Sequence, residues 1–266
     1  MGTALPHFQA SPALAQTLGF RSSAAHADVE IRLVPTPNAD SPLALVGDEV
    51  LPAERSELAC RVANVVIAAL ALALMLPVLA LVALAVRLTS AGPVFYSQVR
   101  VGVDRRFHRQ STYDRRGQDL GGRPFRMWKF RTMRVDAEAD GKAVWAQKSD
   151  PRTTRIGKFL RRTRLDEVPQ LWNVIRGDMN IVGPRPERPT IFAELRHEIP
   201  RYAQRQRVKP GITGWAQINQ SYDSCLSDVK NKVRLDLEYV QRQSLGHDML
   251  IMSLTVPVML FRRGGW

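Results

Sequence analysis

The hydrophobic and polar positions divide this chain into unequal parts. From Val62 to Val86 about 25 residues run with Asn64 as the only strongly polar side chain, and Arg61 and Arg87 bracket the run. A helix of that length reaches across a bilayer hydrocarbon core of about 30 Å. Pro77 lies inside it, and a proline withholds one helical hydrogen bond and crowds the carbonyl four residues back. The two halves, about 15 and 10 residues, are each too short to cross alone. A kinked span and a re-entrant hairpin both fit these lengths, and a buried core helix is the third possibility. Ahead of the run, residues 1–57 are rich in Ala, Pro and Ser and lack sustained periodicity. They predict a disordered tail, with a short strand at Glu30–Val34.

Beyond Thr89 the pattern is that of a folded domain. Pro93–Val101 is β-branched and aromatic between two glycines, and Phe125–Met133 alternates apolar with basic residues. Both predict strands, and the alternation puts Lys129 and Arg131 on one face of the second. Helices are predicted at Ile156–Arg161, Glu167–Arg176, Thr190–Glu198 and Asp228–Gln243, with a glycine-rich turn and an extended piece at Val208–Asn219. Asp104–Gly122 reads as a polar, arginine-rich loop. Met249–Phe261 is apolar but too short to span, so it is a core or interfacial helix, with Arg262 and Arg263 suited to headgroup level. The expected architecture is α+β and mostly helical: a tail over 1–57, a membrane-inserted helix over 58–90, and a domain over 91–266 with a small β element.

Charge sharpens this division. Through Arg87 there are five basic and seven acidic side chains; after it, 33 basic and 18 acidic ones. So basic a body expects a polyanionic neighbour, whether nucleic acid, an anionic membrane face or phosphorylated substrates. It also places the domain on the cytoplasmic side of a membrane. Cys60 and Cys225 lie far apart without metal-ligand spacing, which argues against a disulfide framework and for a reducing compartment. The first residues lack the basic start and apolar core of a secretory signal.

The chemistry concentrates in Arg162–Pro189, RTRLDEVPQLWNVIRGDMNIVGPRPERP. Proline is tolerated in a first helical turn, so Pro169 predicts a helix start near Asp166 or Glu167, with Asp166 as N-cap. Such an end attracts phosphate, and Arg161, Arg162 and Arg164 should help hold the carboxylates ionised. An ionised Asp near bound phosphate is a plausible nucleophile. Arg185, held between Pro184 and Pro186, suits a phosphate clamp, and Lys129 and Arg131 could reach the same anion. Taken singly, each piece has a plainer reading, since an Asp before a helix is usually a cap and exposed acid–arginine pairs contribute little. No Walker A loop, G-x-G-x-x-G, G-x-S-x-G or H-E-x-x-H occurs. Asp236 and Glu238 have the spacing of the metal-binding acids in nucleotide-sugar glycosyltransferases, though they fall in a helical pattern.

The stretches GPVFYSQVRVG, FRMWKFRTM, RIGKFLRRTRLDEVPQLWNVIRGDMNIVGPRPE and VKPGITGWAQIN resemble those of the bacterial sugar transferases, the monotopic phosphoglycosyl transferases that act on undecaprenyl phosphate. The resemblance implies transfer of a sugar-1-phosphate from a UDP-sugar to a polyprenyl phosphate, with release of UMP and a requirement for Mg²⁺. It implies that Asp166 is the nucleophile and forms a phosphoaspartyl-sugar intermediate. Glu167 assists, through the metal or the lipid phosphate's proton. Lys129, Arg131, Arg164 and Arg185 become candidates to neutralise phosphates, and Asp166 and Glu167 to hold the metal. It further implies an inner-membrane enzyme facing the cytoplasm, in contact with membrane lipids and not nucleic acid, on a re-entrant helix broken at Pro77. The chain departs from the small-subfamily pattern in having Leu76 where Ser precedes the proline, and in the length of its Asp104–Gly122 loop. Two other functions compete: a membrane-tethered basic protein binding nucleic acid or anionic lipid, and a conventional glycosyltransferase using Asp236 and Glu238.

Overall fold

A computed structural model describes residues 49–104, 121–137, 150–220 and 225–261. The predicted strand at Glu30–Val34, most of the Asp104–Gly122 loop and the terminal arginines lie outside the described residues. The longest element is α1, Glu57–Thr89, started by Ser56, whose Oγ accepts from the Ala59 N–H at 3.2 Å. Its middle shows bare apolar surface: Leu74, Leu76 and Leu81 are each more than half exposed. An 18-residue window reaches a mean hydropathy of 3.0, so α1 is long and apolar enough to enter a membrane. Where the resemblance implies a break, the helix runs on through Pro77 without interruption. A proline removes one bond, here to the Ala73 carbonyl, and this bends a helix without having to end it.

Both ends of α1 are tied to the same body. At one end Arg61 donates to the Val174 and Ile175 carbonyls. Asn64, the run's strongly polar residue, accepts from the Ile181 N–H at 2.6 Å and donates to the Cys60 carbonyl. At the other end Val82 and Val86 pack with Phe130 and Leu160. Residues 49–56, which composition assigns to the tail, are folded onto the body. Val50 is fully buried, its N–H donates to Gln204, and Ala53 exchanges bonds with Val240 and Gln243.

Two small sheets follow. β1 (Phe95–Val101) pairs antiparallel with β2 (Pro124–Phe130), from Phe95 opposite Phe130 to Val101 opposite Pro124. β3 (Asn180–Val182) and β4 (Gly211–Thr213) pair in parallel. A Cβ on Gly211 would meet the Gly183 nitrogen at 2.1 Å, so only glycine allows this approach. Helices surround them: α2 (Arg155–Thr163), α3 (Gln170–Arg176), α4 (Pro189–Glu198), α5 (Trp215–Asn219), α6 (Leu226–Arg242) and α7 (Leu245–Phe261). The main core joins Val50, Val101, Val182, Phe192, Tyr202, Val240 and Ile251. Mostly helical with small sheets is thus the architecture, as expected. Two details differ: Trp215–Asn219 is a helix rather than an extended piece, and β2 ends at Phe130 rather than Met133.

Candidate active site

The acid pair sits on a turn of its own. α2 ends at Arg164, a non-glycine residue in the left-handed region (φ 59°), a conformation that costs about 1 kcal/mol or more. It turns the chain into a single 3₁₀ turn, Leu165–Glu167, and α3 begins only at Gln170 with Pro169 at its N-cap. Asp166 is therefore not the cap of a helix, contrary to the expectation from Pro169. Pro169 stands one position before the first turn of α3, where its missing N–H costs no helical hydrogen bond.

The two carboxylates meet different surroundings. Glu167 Oε1 accepts from Lys129 Nζ and from Arg185 Nη2, both at 2.7 Å, and its Oε2 lies 3.4 Å from Arg185 Nη1. Burial pushes the Glu167 carboxyl up, but the Arg185 and Lys129 charges outweigh it and hold the group well below its usual range. Asp166 is only 6% exposed, and among the described residues its Oδ1 has no hydrogen-bond partner. Burial first, and then the Glu167 charge, raise its pKa, with Lys129, Arg161 and Arg164 opposing. A buried carboxylate oxygen without a donor is costly. Such an atom suits a ligand that brings its own positive charge or electrophile.

Of the expected cations, the structure brings Lys129 and Arg185 onto Glu167 and places Arg164 at the turn beside it. It does not bring Arg131. Strand alternation lapses after Phe130, and the Arg131 guanidinium turns to the far end of α1, donating to the Ser90 and Ala91 carbonyls and to Ser90 Oγ. Arg131 holds the exit of the apolar helix. Asp236 and Glu238 are also elsewhere: Asp236 Oδ2 lies 2.6 Å from the fully buried Arg205, and Glu238 pairs with Arg242. Acids so occupied are core partners, which removes the glycosyltransferase reading built on them.

Several supports were not anticipated from the sequence. Between Gly183 and Glu187 four successive carbonyls are held: Pro184 by Gly211 N–H, Arg185 by Arg205 Nη2 at 3.1 Å, Pro186 by Arg100 Nη1 at 3.0 Å, and Glu187 by Val101 N–H. With its backbone so fixed, the Arg185 side chain is delivered to Glu167. Arg205 is kept charged by Asp236 and Glu187, whose attraction overcomes its burial. Asn173, wholly buried, takes the Trp128 N–H and gives to the Arg126 carbonyl. It thereby fastens α3 to the free edge of β2 and sets Lys129 against the acid turn. An asparagine at a buried phase of the apolar run LWNVI was the available signal; for Arg205 there was none beyond charge.

A sequence profile for the bacterial sugar transferases matches residues 55–262. The chain belongs to that family. The UDP-glucose:undecaprenyl-phosphate glucose-1-phosphate transferase of Escherichia coli K12 is 43% identical over 198 residues, 74% of this chain and 39% of the relative. One of the same description from Caulobacter vibrioides is 39% identical over 212 residues, 79% of this chain and 73% of the relative. A UDP-N-acetylgalactosamine-undecaprenyl-phosphate N-acetylgalactosaminephosphotransferase from Aeromonas hydrophila is 38% identical over 74% of this chain and 42% of its own length. The chain thus spans about two-fifths of the length of several curated relatives it matches.

Proposed function

We propose that this chain transfers a hexose-1-phosphate from a UDP-sugar to undecaprenyl phosphate, releasing UMP, in the membrane stage of exopolysaccharide or glycoconjugate synthesis. The observation that carries the reading is the asymmetry of the acid pair: Glu167 takes Lys129 and Arg185 on its Oε1, whereas Asp166 keeps a buried, unpartnered Oδ1. In the proposed first step an Asp166 oxygen attacks the β-phosphorus of the donor. A phosphorus–oxygen bond to Asp166 forms, the bond to the bridging oxygen breaks, and UMP leaves with the electron pair. In the second, an oxygen of the lipid phosphate attacks the same phosphorus, and Asp166 departs as a carboxylate. Lys129, Arg185 and Arg164 offset charge on the phosphates.

The residues present fit a magnesium ion. Mg²⁺ is usually held by one or two carboxylates together with substrate phosphates and water, and Asp166 Oδ1 is a buried acceptor still to be satisfied. Among the described residues no group of three ligating side chains could hold an ion alone, so the donor's phosphates would complete the set, with Glu167 as the second carboxylate. Bound there, the ion would supply neutralisation of the charge on the transferring phosphoryl group.

In this reading α1 enters the cytoplasmic membrane and returns through the same face, bent at Pro77. Val50, before the helix, and Val101, after it, lie in one hydrophobic core. A helix crossing the bilayer would leave those flanks on opposite sides. The test is a panel of UDP-hexoses and UDP-N-acetylhexosamines assayed for UMP release with and without undecaprenyl phosphate. Lipid-dependent UMP release with at least one donor is the expected result; release of UDP instead, or turnover of none, would refute the proposal.

A further inference from the structure

α2 carries a feature that the reaction does not use. Arg155, Lys158, Phe159 and Arg162 are exposed, and they stand at i, i+3, i+4 and i+7, one face of the helix. The opposite face is spent on packing: Ile156 and Leu160 meet Val82 and Val86 of α1, and Gly157 lies against the Thr132 backbone. No acid occurs in α2. Phe159 is 53% exposed in the middle of the cationic stripe.

We infer that this face of α2 is a docking surface for the anionic phospholipid headgroups of the membrane that α1 enters. Two observations select that occupant. The first is height. Val82 and Val86, on which α2 rests, belong to the last turns of α1 before Arg87, while Leu81, Leu84 and Leu88 of the same turns are exposed. α2 therefore lies beside the point where an apolar helix leaves hydrocarbon for the interface. The second is composition: three cations complement an anionic surface, and the phenylalanine among them can bury in the boundary between headgroups and acyl chains. The arrangement also bears on the chemistry, because Asp166 follows α2 by three residues. A headgroup-bound α2 would set the height of the acid turn over the bilayer, where a lipid-phosphate acceptor presents its phosphate. That consequence rests on the function proposed above; the docking itself does not.

The test uses the full chain in vesicles of neutral phosphatidylcholine, with or without a third of anionic phosphatidylglycerol, at fixed acceptor content. Wild-type UMP release should be roughly fivefold faster in the anionic vesicles, about the factor one surface cation contributes. In the Arg155→Glu, Lys158→Glu double variant that ratio should fall to about one, with rates in detergent and melting temperature unchanged. A second measurement needs no activity. Fluorescence of the Phe159→Trp variant, taken as the difference from its parent, should be quenched by brominated anionic lipid, and less so when the two glutamates are present. Absence of quenching would overturn the inference, as would equal quenching by neutral and anionic lipid, or salt-sensitive DNA binding with no response to lipid. Quenching as expected in a protein that releases no UMP would instead refute the proposed reaction and leave the docking surface standing.

Discussion

Two buried charge clusters lie side by side in this molecule. Around the acid turn, Asp166 and Glu167 face Lys129 and Arg185; behind the Gly183–Glu187 strap, Glu187 and Asp236 face Arg205, Lys232 and Arg100. Both pair acids with cations in a low-dielectric setting, where a group is stable only if its partners are in place. They differ in ion pairing. In the scaffold both acids have a cation at hand, Asp236 Oδ2 2.6 Å from Arg205 and Glu187 Oε1 3.0 Å from Lys232. In the acid turn Glu167 has two, whereas among the described residues Asp166 has no ion pair and its Oδ1 no donor. The cluster with the unpaired acid is the one equipped to act on something else, and the ion-paired one holds it in shape.

The strongest way to break this contrast is to neutralise the incomplete acid. Asp166→Asn should lower UMP release at least on the order of a thousandfold without lowering the melting temperature, since it removes a buried charge that lacks a partner. Full activity would end the nucleophile assignment. Neutralising the scaffold acid should do the reverse. Asp236→Asn leaves Arg205 short of its closest partner and should destabilise by about 3 kcal/mol or more, read as a large fall in melting temperature in detergent. If it melts like wild type, the scaffold reading fails.

Smaller changes sharpen the comparison. Arg205→Lys keeps a charge for Asp236 but cannot also reach the Arg185 carbonyl, and should lower kcat/KM for the donor about tenfold. In an Arg185→Ala background the same change should cost less than about twofold, because coupled residues are not additive. Additive losses would mean that Arg205 does not act through Arg185. For pH, the raised pKa of Asp166 predicts that activity falls on acidification above the ordinary aspartate range. Removing the neighbouring charge with Glu167→Gln should move that acid limb of the residual activity to lower pH. For the scaffold, burial raises the Glu187 carboxyl, but Lys232, Arg205 and Arg100 outweigh it and hold the pKa at about 2. Its folded-state pKa is depressed, so its stabilisation is present above about 4.5 and is lost as pH falls from there towards 2, a change on the order of 3 kcal/mol. Glu187→Gln should flatten that part of the stability–pH curve.

How far the sequence could be read follows from these same residues. The helix over 57–89, the two strands at 95 and 124 and the helices at 155, 189 and 226 were legible, because apolar spacing and capping are local. The acid pair and Arg185 were legible from their rarity and spacing in one short segment. Alternation sets Arg131 beside Lys129 only if the strand continues past Phe130, and β2 ends there. The residue types mark Asp166 as a cap, since nothing in them announces that Arg164 turns left-handed. Spacing alone makes Asp236 a candidate ligand, and only its contact with the distant Arg205 shows otherwise.

The sequence by itself determined which segment is apolar enough to enter a membrane, which turn carries two adjacent carboxylates, and which family shares both. Tertiary structure alone decided that both flanks of the apolar helix pack in one core, that Glu167 and not Asp166 receives the cations, and that Arg205 spends its charge on the backbone behind Arg185. The physical reason is range. Hydropathy and helix signals act within a few residues. Desolvation and ion pairing, in contrast, depend on partners brought together from positions as distant in the chain as 129, 167 and 185.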